Sequence, residues 1–272
     1  MKLQNLHTHT TFCDGKDSIE ELIRSAIDLG MSGIGLSGHS AMPFPSSWSM
    51  KAENVPLYYA EATRQKERYQ DRIPVYVGIE QDYFSTPPEY PYEYIIGGVH
   101  YVEKDGNYYP MDSSAQALTD AANESYGGDI YGLARDYYAL VAKVADKTGC
   151  QIVAHFDLIC KFNQDDCCFD TTDPRYMRAA LDALDALTGK ELVFEINTGA
   201  MSRKRRTTPY PDAKLLRAMR ERDLPICLSA DAHSAENLVY AFRDAAELAR
   251  ACGYREYMVW NGKEFAPEKL PF

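Results

Sequence analysis

Six histidines are present, and each one closes or follows a short apolar run. His7 and His9 stand in Leu6-His7-Thr8-His9-Thr10, His39 ends Ile34-Gly35-Leu36-Ser37-Gly38-His39, and His100 ends Ile95-Ile96-Gly97-Gly98-Val99-His100. His155 ends Ile152-Val153-Ala154-His155, and His233 lies in Ser229-Ala230-Asp231-Ala232-His233. Imidazole is the commonest side-chain ligand for zinc-like metals. Residues two apart on extended backbone point the same way, so His7 and His9 can grip one ion together. Carboxylates accompany them: Asp14 in Phe12-Cys13-Asp14-Gly15, Glu80 after Val75-Tyr76-Val77-Gly78-Ile79, and Asp231 two residues before His233. A carboxylate has two oxygens and can bridge two ions. Six imidazoles with three carboxylates exceed the four-ligand shell of one zinc, so a cluster of two or three divalent ions is expected. Zinc, manganese and iron all suit such donors. Taken singly, each residue has a plainer role, as a hydrogen-bonded core histidine, a turn aspartate or a lysine's partner. Together they need a common partner, because buried ionisable groups do not stand alone.

The elements that must position these groups alternate along the chain. Strand-like runs fall at 3–6, 33–37, 74–78, 94–99, 151–154, 192–196 and 225–229, with a possible last short one at 258–260. Helical patterns fall at 18–29, 56–72, 133–148, 174–187, 211–222 and 235–251, the first opening on the capping box Ser18-Ile19-Glu20-Glu21. Residues 103–126 are polar and weakly periodic, and read as loops with a short helix over one end of the core. Nearly continuous apolar strands in β/α alternation suit a parallel sheet buried on both faces. A doubly wound sheet fits that alternation too. Two points favour a barrel: no Gly-x-Gly-x-x-Gly turn follows the first strand, and only a closed ring lets so many strand ends converge. One domain over 1–272 is expected, with 103–130 inserted over the active-site face.

Composition narrows the function. The 40 acidic against 29 basic residues give a net charge of −11, which argues against a sequence-independent grip on nucleic acid. A small phosphorylated substrate is compatible, since bound metal ions supply local positive charge. Seven cysteines without paired spacing suit a reduced, cytoplasmic setting. The start, Met1-Lys2-Leu3-Gln4-Asn5-Leu6, runs straight into the histidine pair without a signal-peptide pattern, and no apolar run approaches a membrane span. Nothing in the sequence reports oligomeric state.

The His-x-His-Thr opening with its later Asp-Gly, and the Gly-His, Ile-Glu, Val-His, Ala-His-Phe-Asp and Ser-Ala-Asp-Ala-His segments, resemble the PHP (polymerase and histidinol phosphatase) superfamily along essentially the whole chain. Gly98-Val99-His100-Tyr101-Val102, Tyr126-Gly127-Gly128-Asp129, Tyr137-Tyr138, His155-Phe156-Asp157-Leu158-Ile159-Cys160-Lys161 and Glu195-Ile196-Asn197-Thr198 resemble its histidinol-phosphatase branch. The resemblance implies a distorted (β/α)7 TIM-like barrel with a trinuclear site. His7, His9, Glu80 and Asp231 would hold one ion. Glu80, His100 and His155 would hold a second, and Asp14, His39 and His233 a third. The chain departs from the branch where Asp14 replaces a frequent His and where Gly38 precedes His39 in place of a frequent Asp.

The implied reaction is hydrolysis of a phosphomonoester, L-histidinol phosphate by resemblance, through attack of a metal-bridging hydroxide held by Glu80, Asp231, His7 and His9. The alternatives are another small phosphate ester or a nucleotide, and a nuclease or polymerase-associated module of the same superfamily. Phosphate needs cationic donors besides metals. Lys161 and Arg203 are the candidates, the latter opening the run Arg203-Lys204-Arg205-Arg206. Tyr101 beside His100 is a further candidate contact. Glu195 and Asn197 are read as holding the substrate's amine or ordering a ligand, with packing as the plainer role for Glu195. Cys13 has no sign of activation.

Overall fold

The structure is a computed structural model that describes residues 2–272. Met1, at the head of the run read for a signal peptide, lies outside the described residues. The seven expected strands are all present: β1 (Gln4–Asn5), β2 (Gly33–Leu36), β3 (Val75–Asp82), β4 (Tyr94–Gly98), β7 (Ile152–Val153), β8 (Val193–Asn197) and β9 (Ile226–Ser229). Between β4 and β7 come β5 (Tyr101–Lys104) and β6 (Asn107–Pro110), and after β9 come β10 (Glu256–Trp260) and β11 (Phe265–Lys269).

The seven strands pair in chain order, all parallel. The ring nearly closes. At the C-terminal rim a bridge joins Thr8 to Ala232, with His9 N donating to Ala232 O at 2.8 Å and Ala232 N to His7 O at 3.1 Å. Asn5 laces the same seam, accepting from Ala230 N at 3.4 Å and donating to Leu238 O at 2.9 Å. At the opposite end Gln4 exchanges two hydrogen bonds with the Trp260 backbone, so the antiparallel β10–β11 hairpin plugs the floor.

The barrel interior is filled by Leu6, Tyr76, Tyr94, Ile96, Ile152, Ala154, Val193, Cys227 and Trp260. Tyr94 spans it and donates to Leu6 O at 2.6 Å. Its ring needs Gly78 opposite, because a Cβ there would lie 2.4 Å from Tyr94 Cζ. The core is packed, and the chemistry is left to the rim.

Helices α1 (Ile19–Asp28), α2 (Val55–Tyr69), α3 (Ala115–Tyr126), α4 (Ile130–Val141), α5 (Val144–Thr148), α6 (Pro174–Leu187), α7 (Gly199–Ser202), α8 (Ala213–Glu221) and α9 (Phe242–Ala251) surround the ring. The capping box at Ser18 and Glu21 forms, and α1 buries Ile19, Leu22, Ile23 and Ala26 against the strands. Three sequence expectations are corrected. The polar stretch 103–126 is not mainly loop: it completes the β5–β6 hairpin and makes the 12-residue α3, started by Ser114 accepting from Ala117 N. Alternation of Tyr, Val and charged residues over four-residue strands was too short to register as a pattern. The helix expected at 133–148 breaks into α4 and α5 at Ala142–Lys143. The one expected at 235–251 splits at Ala241, whose φ of 53° is left-handed. After β10 the chain returns antiparallel to it as β11. No described helix is long and apolar enough to cross a membrane.

Candidate metal centre

All nine candidate ligands lie at the C-terminal rim. His7 and His9 follow β1, His39 follows β2, Glu80 lies within the extended end of β3, and His100 follows β4. His155 follows β7, and Asp231 and His233 follow β9. Asp14 arrives from the turn after β1, where Gly15 N and Cys13 N both donate to Thr10 O. His155 and Asp231 hold positive φ values of 21° and 46°. Such backbone is costly for a residue with a Cβ and persists where the surroundings fix it, typically at working sites.

Glu80 stands at the centre, and its two oxygens face different partners. Oε2 lies 3.2 Å from His7 Nε2, 3.6 Å from His9 Nε2 and 2.6 Å from His39 Nδ1. Oε1 lies 3.1 Å from His155 Nε2 and 3.5 Å from His100 Nε2. Asp231 Oδ1 is 3.1 Å from His9 Nε2 and 3.8 Å from His7 Nε2. A third grouping forms at the outer edge, where Asp14 Oδ2 is 3.2 Å from His233 Nε2 and Asp14 Oδ1 is 3.5 Å from His39 Nε2. Among the described residues three sets of donor atoms lie mutually within 4.8 Å: His7, His9 and Glu80; His39, Glu80 and His100; and His9, Asp14, His39 and His233. The inclusion of His9 in the third set goes beyond the sequence expectation.

The donor set fits divalent ions on a specific observation. Among the described residues His7 Nε2, His9 Nε2 and Glu80 Oε2 are buried without a hydrogen bond of sound geometry, although they converge on one point. Buried polar atoms without partners are rare and costly. A cation shared among them resolves all three.

A supporting layer orients the imidazoles. Glu195 Oε1 contacts His7 Nδ1 at 2.7 Å, while its Oε2 accepts from His155 N at 3.2 Å and Asn197 Nδ2 at 2.9 Å. Asp82 Oδ2 contacts His100 Nδ1 at 3.0 Å. Electrostatics follow. In the metal-free chain burial works against a charge on His7, but Glu195, Glu80 and Asp231 outweigh it and raise its pKa well above the ordinary value. His100 rises to about 9 against burial, through Asp82 and Glu80. Burial and the neighbouring His39 and His233 push His9 down to about 3. Burial opposes ionisation of Glu80 and Asp231 too, yet His39 and His7 around the first, and Arg203 and His7 around the second, hold both well below the usual carboxylate range.

Above the cluster opens a cavity of about 480 Å³, lined by Asp14, His39, Glu80, His100, His155, Asp231 and His233 on the metal side. Its other walls include Trp48, Tyr101, Asp112, Lys161 and Arg203. Lys161 Nζ pairs with Asp112 Oδ2 at 2.9 Å, and Arg203 Nη2 with Asp231 Oδ2 at 3.0 Å.

Comparison with known proteins then places the chain. The PHP domain family matches residues 5–199, more than half of the sequence. The chain belongs to the PHP domain family. A Deinococcus radiodurans protein described as a probable histidinol-phosphatase is 32% identical over 260 residues, covering 92% of this chain and 93% of that one. The Bacillus subtilis histidinol-phosphatase is 21% identical, covering 89% of this chain and 97% of that one. Among solved structures, the Lactococcus lactis histidinol phosphate phosphatase, complexed with zinc, L-histidinol and phosphate, superposes with a TM-score of 0.69 at 19% identity, covering 97% and 99% of the two chains. The shared fold is the seven-stranded PHP barrel.

Within this PHP barrel the expected substrate contacts divide. Lys161, Arg203 and Tyr101 line the cavity. Glu195 and Asn197 do not: both are buried beneath His7, with relative exposures of 1% and 0%. Direct contact with a substrate amine is therefore corrected, and ordering of a histidine is the role the geometry supports for Glu195. Alternation explains the miss, since Glu195 and Asn197 share a strand face that points into the barrel beneath the rim. Asp82, Trp48 and Asp112 escaped the sequence reading. Asp82 had a signal, because it follows Glu80 by two residues on one strand and so shares its face. Trp48 and Asp112 had none, since each comes from an irregular loop. A Cβ at Gly38 would lie 2.9 Å from Met50 Cε, the flexible end of that side chain, so a larger residue there needs Met50 to shift. Cys13 Sγ lies 3.7 Å from His9 Nδ1, and burial pushes its thiol up to about 11, unsuited to nucleophilic attack.

Proposed function

We propose that this protein is a metal-dependent phosphomonoesterase that hydrolyses L-histidinol phosphate to L-histidinol and phosphate. The observation that carries the reading is the division of Glu80, whose Oε2 faces His7, His9 and His39 while Oε1 faces His100 and His155. One carboxylate between two histidine groups is an arrangement for bridging neighbouring ions. His7, His9, Glu80 and Asp231 would hold one ion, Glu80, His100 and His155 a second, and Asp14, His39 and His233, with His9 close by, a third. Bound there, zinc, manganese or iron ions supply Lewis acidity toward a phosphoryl oxygen and a nucleophile at neutral pH.

The chain's own residues do the rest. Lys161 and Arg203 bind the phosphate oxygens, each held in place by a carboxylate, and among the described residues Arg203 Nε has no hydrogen-bond partner. Glu195 and Asp82 keep His7 and His100 turned toward Glu80. Trp48 and Tyr101 form part of the cavity wall beside the metal rim. The relatives' names supply the choice of L-histidinol phosphate. Seven free cysteines suit a reducing, cytoplasmic compartment.

A panel of phosphate esters tests the assignment. With manganese or zinc added, phosphate release from L-histidinol phosphate is expected to have the highest kcat/KM among it, sugar phosphates and nucleoside monophosphates. A higher value for one of the others replaces the substrate. Cleavage of single-stranded DNA without phosphatase activity replaces the reaction class.

A further inference from the structure

Of the run Arg203-Lys204-Arg205-Arg206, Arg203 alone lines the metal-side cavity among the described residues. Arg206 lies outside it and helps to line a separate cavity of about 140 Å³, together with Cys160, Gln164 and Thr208. Its side chain nevertheless reaches the segment that carries Lys161. Nη1 donates to Cys160 O at 3.1 Å, one peptide before Lys161, and Nη2 donates to Thr208 Oγ1 at 3.4 Å. We infer that Arg206 is a positioning residue for the reaction: it locks the loop bearing Arg203 to the turn bearing Lys161, and so fixes the spacing of the two phosphate-binding cations. This rests on the reading of Lys161 and Arg203 as the phosphate contacts.

The surroundings of Arg206 are those of a clamp and not of a solvated charge. Its guanidinium lies 4.7 Å over the ring of the buried Tyr210, whose backbone bridges to Asn197. Burial works against the guanidinium's charge, and the wholly buried Asp157 carboxylate outweighs it. Asp157 is fixed in turn, accepting from Asp212 N at 3.1 Å. A second tie runs beside the first, as Thr207 N donates to Gln164 Oε1 at 3.0 Å, three residues past Lys161. Within the loop, Arg205 N and Arg206 N both donate to Ala200 O, at 2.8 and 3.3 Å, so Arg203 and Arg206 share one compact turn. At their tips Arg203 is held by Asp231 at 3.0 Å and Lys161 by Asp112 at 2.9 Å. The Arg206 clamp holds the backbone from which both side chains extend. Lysine cannot reproduce it, because an ammonium lacks the planar fork that joins two acceptors while lying on a ring.

Inorganic phosphate, a product of the proposed reaction, probes the spacing as a competitive inhibitor, and neither its Ki nor KM depends on the fraction of folded enzyme. The experiment measures that Ki, with kcat and KM for the best-hydrolysed ester of the panel, on metal-loaded protein. The proteins compared are wild type, Arg206→Lys, Arg206→Met, Lys161→Met and the double variant Lys161→Met with Arg206→Met. Both Arg206 variants are expected to raise Ki and KM about 10-fold, since a small misplacement of a binding group is enough to cost that much. In the Lys161→Met background Arg206→Met should add little, because it acts through Lys161. Unchanged Ki and KM in both Arg206 variants, with only kcat lowered, mark a residue that merely supports the fold and overturn the inference. Effects of Arg206→Met and Lys161→Met that multiply in the double variant overturn it as well, and leave the phosphate contacts standing. Wild-type Ki and KM in Lys161→Met overturn the reading of the phosphate contacts and the inference with it.

Discussion

Glu195 Oε1 lies 2.7 Å from His7 Nδ1, and both side chains are buried. With Nδ1 engaged, His7 has only Nε2 to present, and Nε2 faces Glu80 and Asp231. Glu195 also holds the backbone at His155 through its second oxygen. One buried carboxylate thus orients ligands from opposite sides of the barrel rim, without reaching the cavity itself.

Removing that carboxylate should weaken the metal centre more than the fold. Glu195→Gln is expected to lower metal affinity about 10- to 100-fold, the usual effect of losing a ligand's orienting partner. Competition with a chromogenic chelator reads this directly. Wild-type affinity in the variant would show that the contact only packs the barrel.

The pairing of Asp82 with His100 predicts a pH dependence. His100 titrates near 9 in the metal-free protein, above the ordinary 6.5, because Asp82 and Glu80 outweigh its burial. A raised histidine pKa stabilises the metal-free fold fully below about 6.5, and that contribution is lost as pH rises through about 9. Metal binding must displace the same proton, so affinity should rise with pH toward 9 and proton release should accompany binding at neutral pH. Calorimetric titration in buffers of different ionisation enthalpy counts those protons. Asp82→Asn should release fewer.

Gly38, beside the ligand His39, is closely packed against Met50 and Tyr58. Gly38 N donates to Tyr58 OH at 3.2 Å, and Tyr58 in turn donates to Gly78 O at 2.9 Å. Restoring the frequent aspartate by Gly38→Asp would press on Met50 and place a carboxylate near Cys13 and Tyr58. A loss of about 1–3 kcal/mol in unfolding free energy is expected by urea titration. Undiminished stability would mean that the site can open to take the side chain.

The rim was readable in the sequence because most of the ligands end or closely follow a strand-like apolar run, as His155 ends Ile152-Val153-Ala154. Strand periodicity and metal-binding residue types then reinforce one another. Depth at the rim was not readable. Lys161 and Glu195 both belong to strand-end segments, yet one lines the cavity and the other lies beneath it. Barrel closure and tilt decide that difference, and neither leaves a local pattern. Asp112 depends on tertiary structure in another way. It sits in a polar stretch that becomes meaningful only when the β5–β6 hairpin folds back beside His100.

The most direct test of the central claim is phosphate release from L-histidinol phosphate by chelator-stripped protein during stepwise return of manganese or zinc. The predicted result is negligible activity in the stripped protein and recovery that requires more than one ion per chain, as expected when Glu80 serves two groups of histidines. Full activity without metal, with metal content confirmed as negligible, would contradict the account.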